Sequence, residues 1–422
     1  MIIEFTVGNF LSFNQKRILT FEAKSISELK ENVFTHHKHK LLKTAVIYGA
    51  NSSGKSNLIK ALDRMRDNVL FSVRLNSTDA LDFSPFLLSR NSENNPTFFE
   101  VIFYVEDVKY RYGYEYNFSE IINEWLYVGG INSKTEKPLF IRTKDGIAVA
   151  DKFEEGKGKE ASTNDNRLFI SLVAQLGGVI SKKILEWYKN YNVISGLDHK
   201  DYNGFTTTML HKKLDGCNES LLFFENLKLG FKEIKTNELE FNPLDIPENL
   251  PKDLKLKLIK ELVGQKEITL KTAHNKFDVN GNIVDTVFFD KNKSESEGTN
   301  KIIDLSGPIF NTLSLGKLLV IDELDAKLHP LITKHIVNLF NNPLTNTKNA
   351  QLLFATHDTN LLSTDLFRRD QIWFTEKDDF EQTDLYSLYN FSLPDGTKIR
   401  NDANIEKNYI RGRYGAIPFI TN

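Results

Sequence analysis

Cysteine is nearly absent from this chain, with one, Cys217, in 422 residues. That excludes a disulfide framework and fits a reducing compartment. Cys217 stands in "DGCNES" without a matched His or Asp, so it reads as a bystander rather than a nucleophile. Net charge is nearly absent too: 54 Lys and Arg against 56 Asp and Glu leave −2. No global basic field therefore advertises nucleic-acid binding, and only a local groove remains open to it. No apolar run approaches the roughly 18 residues that a membrane-spanning helix needs. The opening "MIIEFTVGNF" has neither the cationic segment nor the cleavage site of a signal peptide. These absences predict a soluble, cytoplasmic protein with no membrane partner. The length predicts two or three lobes rather than one core.

The patterning that is present divides the chain. Residues 2–7 and 17–23 read as short strands, and "TAVIYGA" (44–50) as a buried strand ending in Gly. The next 19 residues carry Leu58, Ala61, Leu62 and Met65 at helical spacing. Residues 98–117 read as a hairpin turning at Glu106 and Asp107, with Tyr110, Tyr112, Tyr114 and Tyr116 on one face of its second arm. Such a ladder suits either a nucleic-acid stacking platform or a packed sheet face, and period-2 aromatics favour the packed face. "DKFEEGKGKEASTNDN" (151–166) reads as a surface loop or lobe boundary, and 167–265 as mostly helical. A hairpin with Asn280-Gly281 at its turn follows, and from 297 onward helices alternate with strands, as in a parallel sheet. The expected division is an N-terminal lobe over 1–150, a mainly helical insertion over 151–265 and a C-terminal lobe over 266–422.

Three motifs carry chemistry. "GANSSGKS", Gly49 to Ser56, fits G-x-x-x-x-G-K-S between a strand and a helix. Gly49 and Gly54 let the backbone N–H groups of the loop, through Asn51, Ser52 and Ser53, curl around phosphate oxygens. Lys55 offers a point charge to the β- and γ-phosphates, Ser56 offers a hydroxyl to Mg²⁺, and the helix start, with Asn57, adds its partial positive charge. In "KLLVIDELDAKLHP" (317–330) the apolar run Leu318 to Ile321 ends in Asp322 and Glu323. An acid at such a strand tip holds Mg²⁺ through water, and a second beside it orients or deprotonates the attacking water. Asp322 takes the first role and Glu323 the second. In "AQLLFATHDTNLL" (350–362) another buried strand delivers Thr356 and His357, and His357 fits a γ-phosphate sensor.

The order GxxxxGKS, S-x-G, apolar strand with DE, then strand with THD resembles the ABC-type ATPase heads of structural-maintenance-of-chromosomes, RecF and OLD proteins. The chain is most similar to the ABC-type, AAA-family ATP-binding proteins of bacterial phage defence, such as PARIS-, AbiL- and OLD-type heads. It shares "ESEGT" (295–299), "IDELDAKLHP" (321–330), "THD" (356–358), "GRYGAIP" (412–418) and the opening "VGNFLSF". The resemblance implies an α/β ABC-type (SMC/RecF-like) P-loop ATPase head with an antiparallel β lobe and a helical insertion. It also implies ATP and Mg²⁺ as cofactors and two heads that sandwich ATP. In that arrangement Ser296 meets the partner's γ-phosphate, Gly298 permits close backbone approach, and Asp325 sits at the same seam. Leu11 stands where many relatives have Arg, and no Gln after the first helix fits a Q-loop.

Other signals lead elsewhere. "NKFD" (275–278) matches a guanine-reading motif but falls in a hairpin arm, so ATP is preferred to GTP. "EKDDFEQTD" (376–384) reads as a hairpin turn rather than a nuclease metal cluster, and no room for a Toprim domain follows "GRYGAIP". "HHKHK" (36–40) has the wrong spacing for a closed metal site, with no Cys or acid beside it, and reads as a basic loop. The expected function is the ATPase subunit of a phage-defence or abortive-infection system, a homo-oligomer acting on a separately encoded effector. The alternatives are a RecF/SMC-like DNA-binding clamp, with nucleic acid as partner, and a stand-alone ATPase toxin.

Overall fold

The computed structural model describes the chain except residues 131–134, 199–201, 241–242, 244–245, 247–249, 263–265, 394–395, 401–402 and 419–422. It divides into two compact units, residues 1–197 with 316–422, and residues 198–315.

The first unit holds two large sheets. One is antiparallel, with β1 (Ile2–Gly8), β2 (Arg17–Thr20), β6 (Thr97–Val105), β7 (Val108–Tyr116), β8 (Ile121–Gly129), β9 (Glu136–Thr143) and β10 (Gly146–Val149) in the order β10-β9-β8-β7-β6-β1-β2. Its inward face is the tyrosine ladder: Tyr112, Tyr114 and Tyr116 are fully buried and Tyr110 is nearly so. These rings are packing, not a stacking platform. A small hairpin, β3 (Val33–His36) and β4 (His39–Leu42), stands apart from both sheets.

The other sheet contains β5 (Thr44–Tyr48), β11 (Tyr191–Ser195), β15 (Leu318–Asp322), β16 (Gln351–Ala355), β17 (Ile372–Lys377) and β18 (Thr383–Ser387) in the order β11-β15-β16-β5-β17-β18. All neighbours are parallel except β17 and β18. Every residue of β5 and β16 is buried, which explains their uninterrupted apolar runs. Helix α1 (Lys55–Phe71) follows β5 and packs on α3 (Val179–Lys189) and β15, while α9 (Pro330–Asn341) packs on β16 and β5. Phe5, Ile47, Leu58, Leu62, Phe99, Tyr112 and Val320 share one core, so α1 is the layer that joins the two sheets. The short helices α2 (Phe169–Gln175) and α10 (Ile405–Ile410) complete this unit.

The second unit combines α4 (Asn203–Lys212), α5 (Cys217–Leu227), α6 (Lys252–Leu262), α7 (Lys291–Ser294) and α8 (Glu297–Leu315) with a three-stranded antiparallel sheet. That sheet is β12 (Glu233–Glu240), β13 (Lys266–Phe277) and β14 (Ile283–Asp290). Pro308 lies inside α8 and cannot donate to the carbonyl of Asp304, four residues earlier. Thr206 of α4 supplies the missing donor, its Oγ1 lying 2.6 Å from that carbonyl, and accepts in turn from the Gly307 N–H at 3.1 Å. A β-carbon on Gly307 would stand 2.3 Å from the same hydroxyl oxygen, so the crossing needs glycine.

These units do not follow the division read from the sequence. Residues 151–197, assigned there to a helical insertion, belong to the first unit, because α3 packs on α1 and β11 pairs with β15. The hairpin and helix over 266–315, assigned to the C-terminal lobe, belong to the second unit. The inserted unit is therefore mixed rather than mainly helical.

Candidate functional site

The phosphate loop leaves β5 and enters α1 through two left-handed residues, Ser52 at φ 64° and Gly54 at φ 113°. Its floor is built from β17 and β18. The Ser53 and Thr375 hydroxyls lie 2.7 Å apart, and Thr383 Oγ1 donates to the Ser53 carbonyl at 2.9 Å. A β-carbon on Gly54 would stand 2.3 Å from Thr383 Oγ1, and one on Gly49 2.4 Å from Ser53 Oγ and 2.5 Å from the Thr375 carbonyl. Close approach thus fixes both glycines, and Gly54 is fixed by backbone shape as well. Asn51 and Ser52 are exposed, Ser53 and Lys55 are buried, and Ser56 and Asn57 are half-buried. Asn57 Nδ2 donates to Ser12 Oγ at 2.7 Å. Beside this contact opens a cleft of about 270 Å³ lined by Leu11, Ser12, Asn57, Leu87, Leu88 and Lys377.

Strand order brings the other motifs to the loop. β16 lies between β5 and β15, so the tips of three adjacent strands carry the loop, then Thr356 and His357, then Asp322 and Glu323. The Thr356 N–H donates to the Ile47 carbonyl at 3.2 Å, and the Leu324 N–H to the Ala355 carbonyl at 3.1 Å, which pins the three tips together. Lys55 Nζ donates to the carbonyls of Gly49 and Ala50 at 2.9 and 3.0 Å. Burial lowers its pKa, against the pull of Asp322, Glu323 and Asp325. His357 is held below its ordinary pKa first by desolvation and then by the Lys55 charge, against Asp325, Glu323 and Asp322. The five groups feel one another's charge, so they form one electrostatic cluster, with the imidazole kept neutral at physiological pH.

The donor set fits a magnesium ion. Asp322 Oδ1 and Asp325 Oδ1 are buried with no hydrogen-bond partner among the described residues. A bare buried carboxylate oxygen suits a hard cation or its water. Ser56 and Asp322 would hold such an ion.

Glu323 has a left-handed backbone at φ 55°, rare for a residue other than glycine. The cause is Gly196, which follows β11. Its N–H donates to the Asp322 carbonyl at 2.6 Å, and a β-carbon there would stand 1.9 Å from the Glu323 carbonyl oxygen. After Glu323 the chain turns through Asp325 to His329, whose Nδ1 accepts from the Leu331 N–H at 3.2 Å, so that "HP" is the start of α9.

The residues of "ESEGT" lie in the second unit. Ser296 is exposed, and its Oγ accepts from the Thr299 N–H at 3.1 Å, which makes it the N-cap of α8. Gly298 is half-buried in the first turn. Glu295 accepts from His274 Nε2 at 2.8 Å and from the Thr272 hydroxyl, which ties the turn to β13. "NKFD" occupies the end of β13 and its turn, and 376–384 is the end of β17, the turn 378–382 and the start of β18.

Sequence reasoning missed four residues that shape the site: Ser12, Gly196, Thr375 and Thr383. Gly196 and Thr375 lie in no motif, while Ser12 falls in "VGNFLSF" and Thr383 in "EKDDFEQTD" without a role assigned to either. Each matters through a strand pairing, and only the sheet order reveals it.

A family model described as "AAA domain, putative AbiEii toxin, Type IV TA system" matches residues 45–363. The chain belongs to this family of AAA-type ATPase domains. The matched span takes in the phosphate loop, the inserted unit, the Asp322-Glu323 tip and His357. The α/β P-loop ATPase class read from the sequence, with an antiparallel sheet beside the mainly parallel one, is the one the chain has. A comparison with curated proteins found no match. Among solved structures the chain is similar to the SMC head domain from Thermotoga maritima, with 13% identity and a TM-score of 0.41 over 92% of this chain and 98% of that one. It is also similar to the recombination mediator protein RecF with ATP in the RecFOR pathway, with 12% identity and a TM-score of 0.31 over 84% and 93% of the two chains. No helix among the described residues is long and apolar enough to cross a membrane.

Proposed function

We propose that this protein binds ATP with Mg²⁺, hydrolyses it between two copies of the chain, and serves as the ATPase subunit of an abortive-infection system. The observation that carries the reading is the acid pair at the tip of β15, set one strand away from the phosphate loop with Lys55 and His357 in its electrostatic field. The loop N–H groups and Lys55 hold the phosphates. Ser56 and Asp322 would hold Mg²⁺, which would supply neutralisation of the phosphate charge. Glu323 orients the attacking water and accepts its proton, and neutral His357 donates an N–H to a γ-phosphate oxygen. The adenine is assigned to the cleft beside Leu11 and Asn57.

In the paired form Ser296 of one copy faces the γ-phosphate held by the other, with Gly298 and Asp325 at the same seam. ATP then stabilises the pair by mass action, and hydrolysis loosens it. The family description, which names an abortive-infection toxin and a toxin–antitoxin system, supports the defence role. The effector in this reading is a separately encoded protein.

The test is Glu323→Gln. Hydrolysis should fall by about 10²- to 10⁴-fold with ATP binding intact, and the variant should elute as a dimer or larger ring with ATP. Isolated from its native host with ATP present, it should carry a stoichiometric protein companion, identified by mass spectrometry. Unchanged turnover would remove Glu323 from the chemistry. Nucleic acid without a protein companion would replace the defence role with a DNA clamp.

A further inference from the structure

The segment "HHKHK" belongs to no part of the ATPase reading, and the sequence shows no acid near it. The fold supplies one. Its histidines lie at the tip of the β3–β4 hairpin, and the tip of the β6–β7 hairpin brings Asp107 against them from 70 positions further along the chain.

We propose that these two tips form a surface site for a borderline divalent transition ion of the zinc class, held by His36 Nε2, His37 Nε2 and Asp107 Oδ1. The three atoms lie within 4.8 Å of one another. His37 Nε2 is 3.0 Å and His36 Nε2 3.9 Å from the same Asp107 oxygen. The Glu106 carbonyl oxygen, 3.2 Å from His36 Nε2, adds a fourth donor on the same side. Ligand atoms around zinc stand about 3.3 Å apart, at about 2.0–2.2 Å from the ion. The 3.0 and 3.9 Å separations from Asp107 bracket that spacing.

The convergence is built at some cost. His37 and Glu106, one at each tip, have left-handed backbones at φ 53° and φ 53°, and neither is glycine. Such residues are strained by about 1–3 kcal/mol each. The rings are fixed by packing: His36 stands edge-on to the buried Tyr104 at 4.5 Å between centroids and to His37 at 4.5 Å. Lys183 engages the Glu106 carboxylate at 2.8 Å, which draws that acid away and leaves the carboxylate of Asp107 facing the imidazoles.

Without an ion each imidazole can direct an Nε2–H at an oxygen, His37 at Asp107 and His36 at the Glu106 carbonyl. On binding, the Nε2 lone pairs of His36 and His37 and the Asp107 carboxylate take the cation, with each ring N–H on Nδ1. Two imidazoles with one carboxylate select zinc-class ions over magnesium, which keeps this site distinct in chemistry from the phosphate loop.

Cobalt(II) reports on such a site through its visible bands, and zinc should displace it. The full chain, stripped with a chelator and kept free of nucleotide, is titrated with cobalt(II) and then with zinc. One equivalent should bind, with bands of nitrogen and oxygen ligation that zinc abolishes. His37→Asn, which tolerates the left-handed backbone, and Asp107→Asn should each weaken binding at least about tenfold. Both should melt like the wild type in the absence of metal. Wild-type binding that is absent, or that differs less than tenfold from either variant, would overturn the site. ATP turnover should be unchanged in both variants whether or not the ATPase reading holds.

Discussion

Glu323 is a residue whose identity and backbone pull in opposite directions. Chemistry asks for a carboxylate, while the position asks for a left-handed conformation that a side chain resists. Gly196 resolves the conflict from another strand: only a residue without a β-carbon lets the Glu323 carbonyl come so close. The consequence is that Gly196 positions the proposed base without touching nucleotide. In Gly196→Ala the added methyl must push the Glu323 backbone aside. A displacement near 1 Å costs about 10²-fold in rate, so kcat should fall by about that factor. The affinity for ATP, measured on the same protein, should stay within a few-fold, because the phosphate loop is untouched. A substitution that merely loosened the fold would raise KM along with lowering kcat and lower the melting temperature in proportion. An unchanged kcat would sink the positioning role.

At the scale of the element, the sequence was readable wherever burial imposed a single pattern. β5, β15 and β16 are enclosed on both faces and so announce themselves as apolar runs, and their tips carry the motifs. β11 is different. Only Tyr191 of its five residues is fully buried, it lies at the sheet edge, and it follows a helix closely enough to be absorbed into a helical reading. With β11 missed, Gly196 was missed as well. The charged stretch 151–166 misled for a related reason: it is exposed, yet the residues after it are core. Arg142 donates to the carbonyls of Arg167 and Asp165 at 2.6 and 3.0 Å, and Glu124 of β8 caps α2. The Glu124 carboxylate is fully buried and accepts from the Phe169 and Ile170 N–H groups at 2.6 and 3.1 Å and from Tyr112 at 3.0 Å. Glu124→Leu should therefore destabilise the protein by about 3–5 kcal/mol, because it leaves two helix N–H groups and the Tyr112 hydroxyl unpaired in the core and removes the carboxylate 4.0 Å from Arg142. Glu124→Gln keeps an acceptor and should cost less than half as much. Urea denaturation of the three proteins checks the order, and a Leu variant as stable as the wild type would show that the buried carboxylate contributes nothing net.

For the whole molecule the phosphate loop and the S-x-G turn fall in different compact units, 1–197 with 316–422 and 198–315. The turn was legible as a motif, but the unit that carries it was not. Its hairpin of β13 and β14 was legible, but β12 is polar and was absorbed into the helical reading of 167–265. If the turn serves a second copy of the chain, changing it should separate binding from assembly. Ser296→Arg removes the hydroxyl that caps α8, a loss of about 1 kcal/mol, and sets a bulky cation on an exposed face. The variant should fold and bind ATP with wild-type affinity, since its own phosphate loop is intact. It should remain monomeric by light scattering at ATP concentrations that pair the wild type. Ser296→Thr retains both the cap and a hydroxyl, and it should still pair. Mixed in equal amounts with Glu323→Gln, the Arg variant should restore one of two composite interfaces and give pairs of intermediate stability. If Ser296→Arg assembles as well as the wild type in ATP, the turn does not face a neighbouring nucleotide and its role is confined to starting α8.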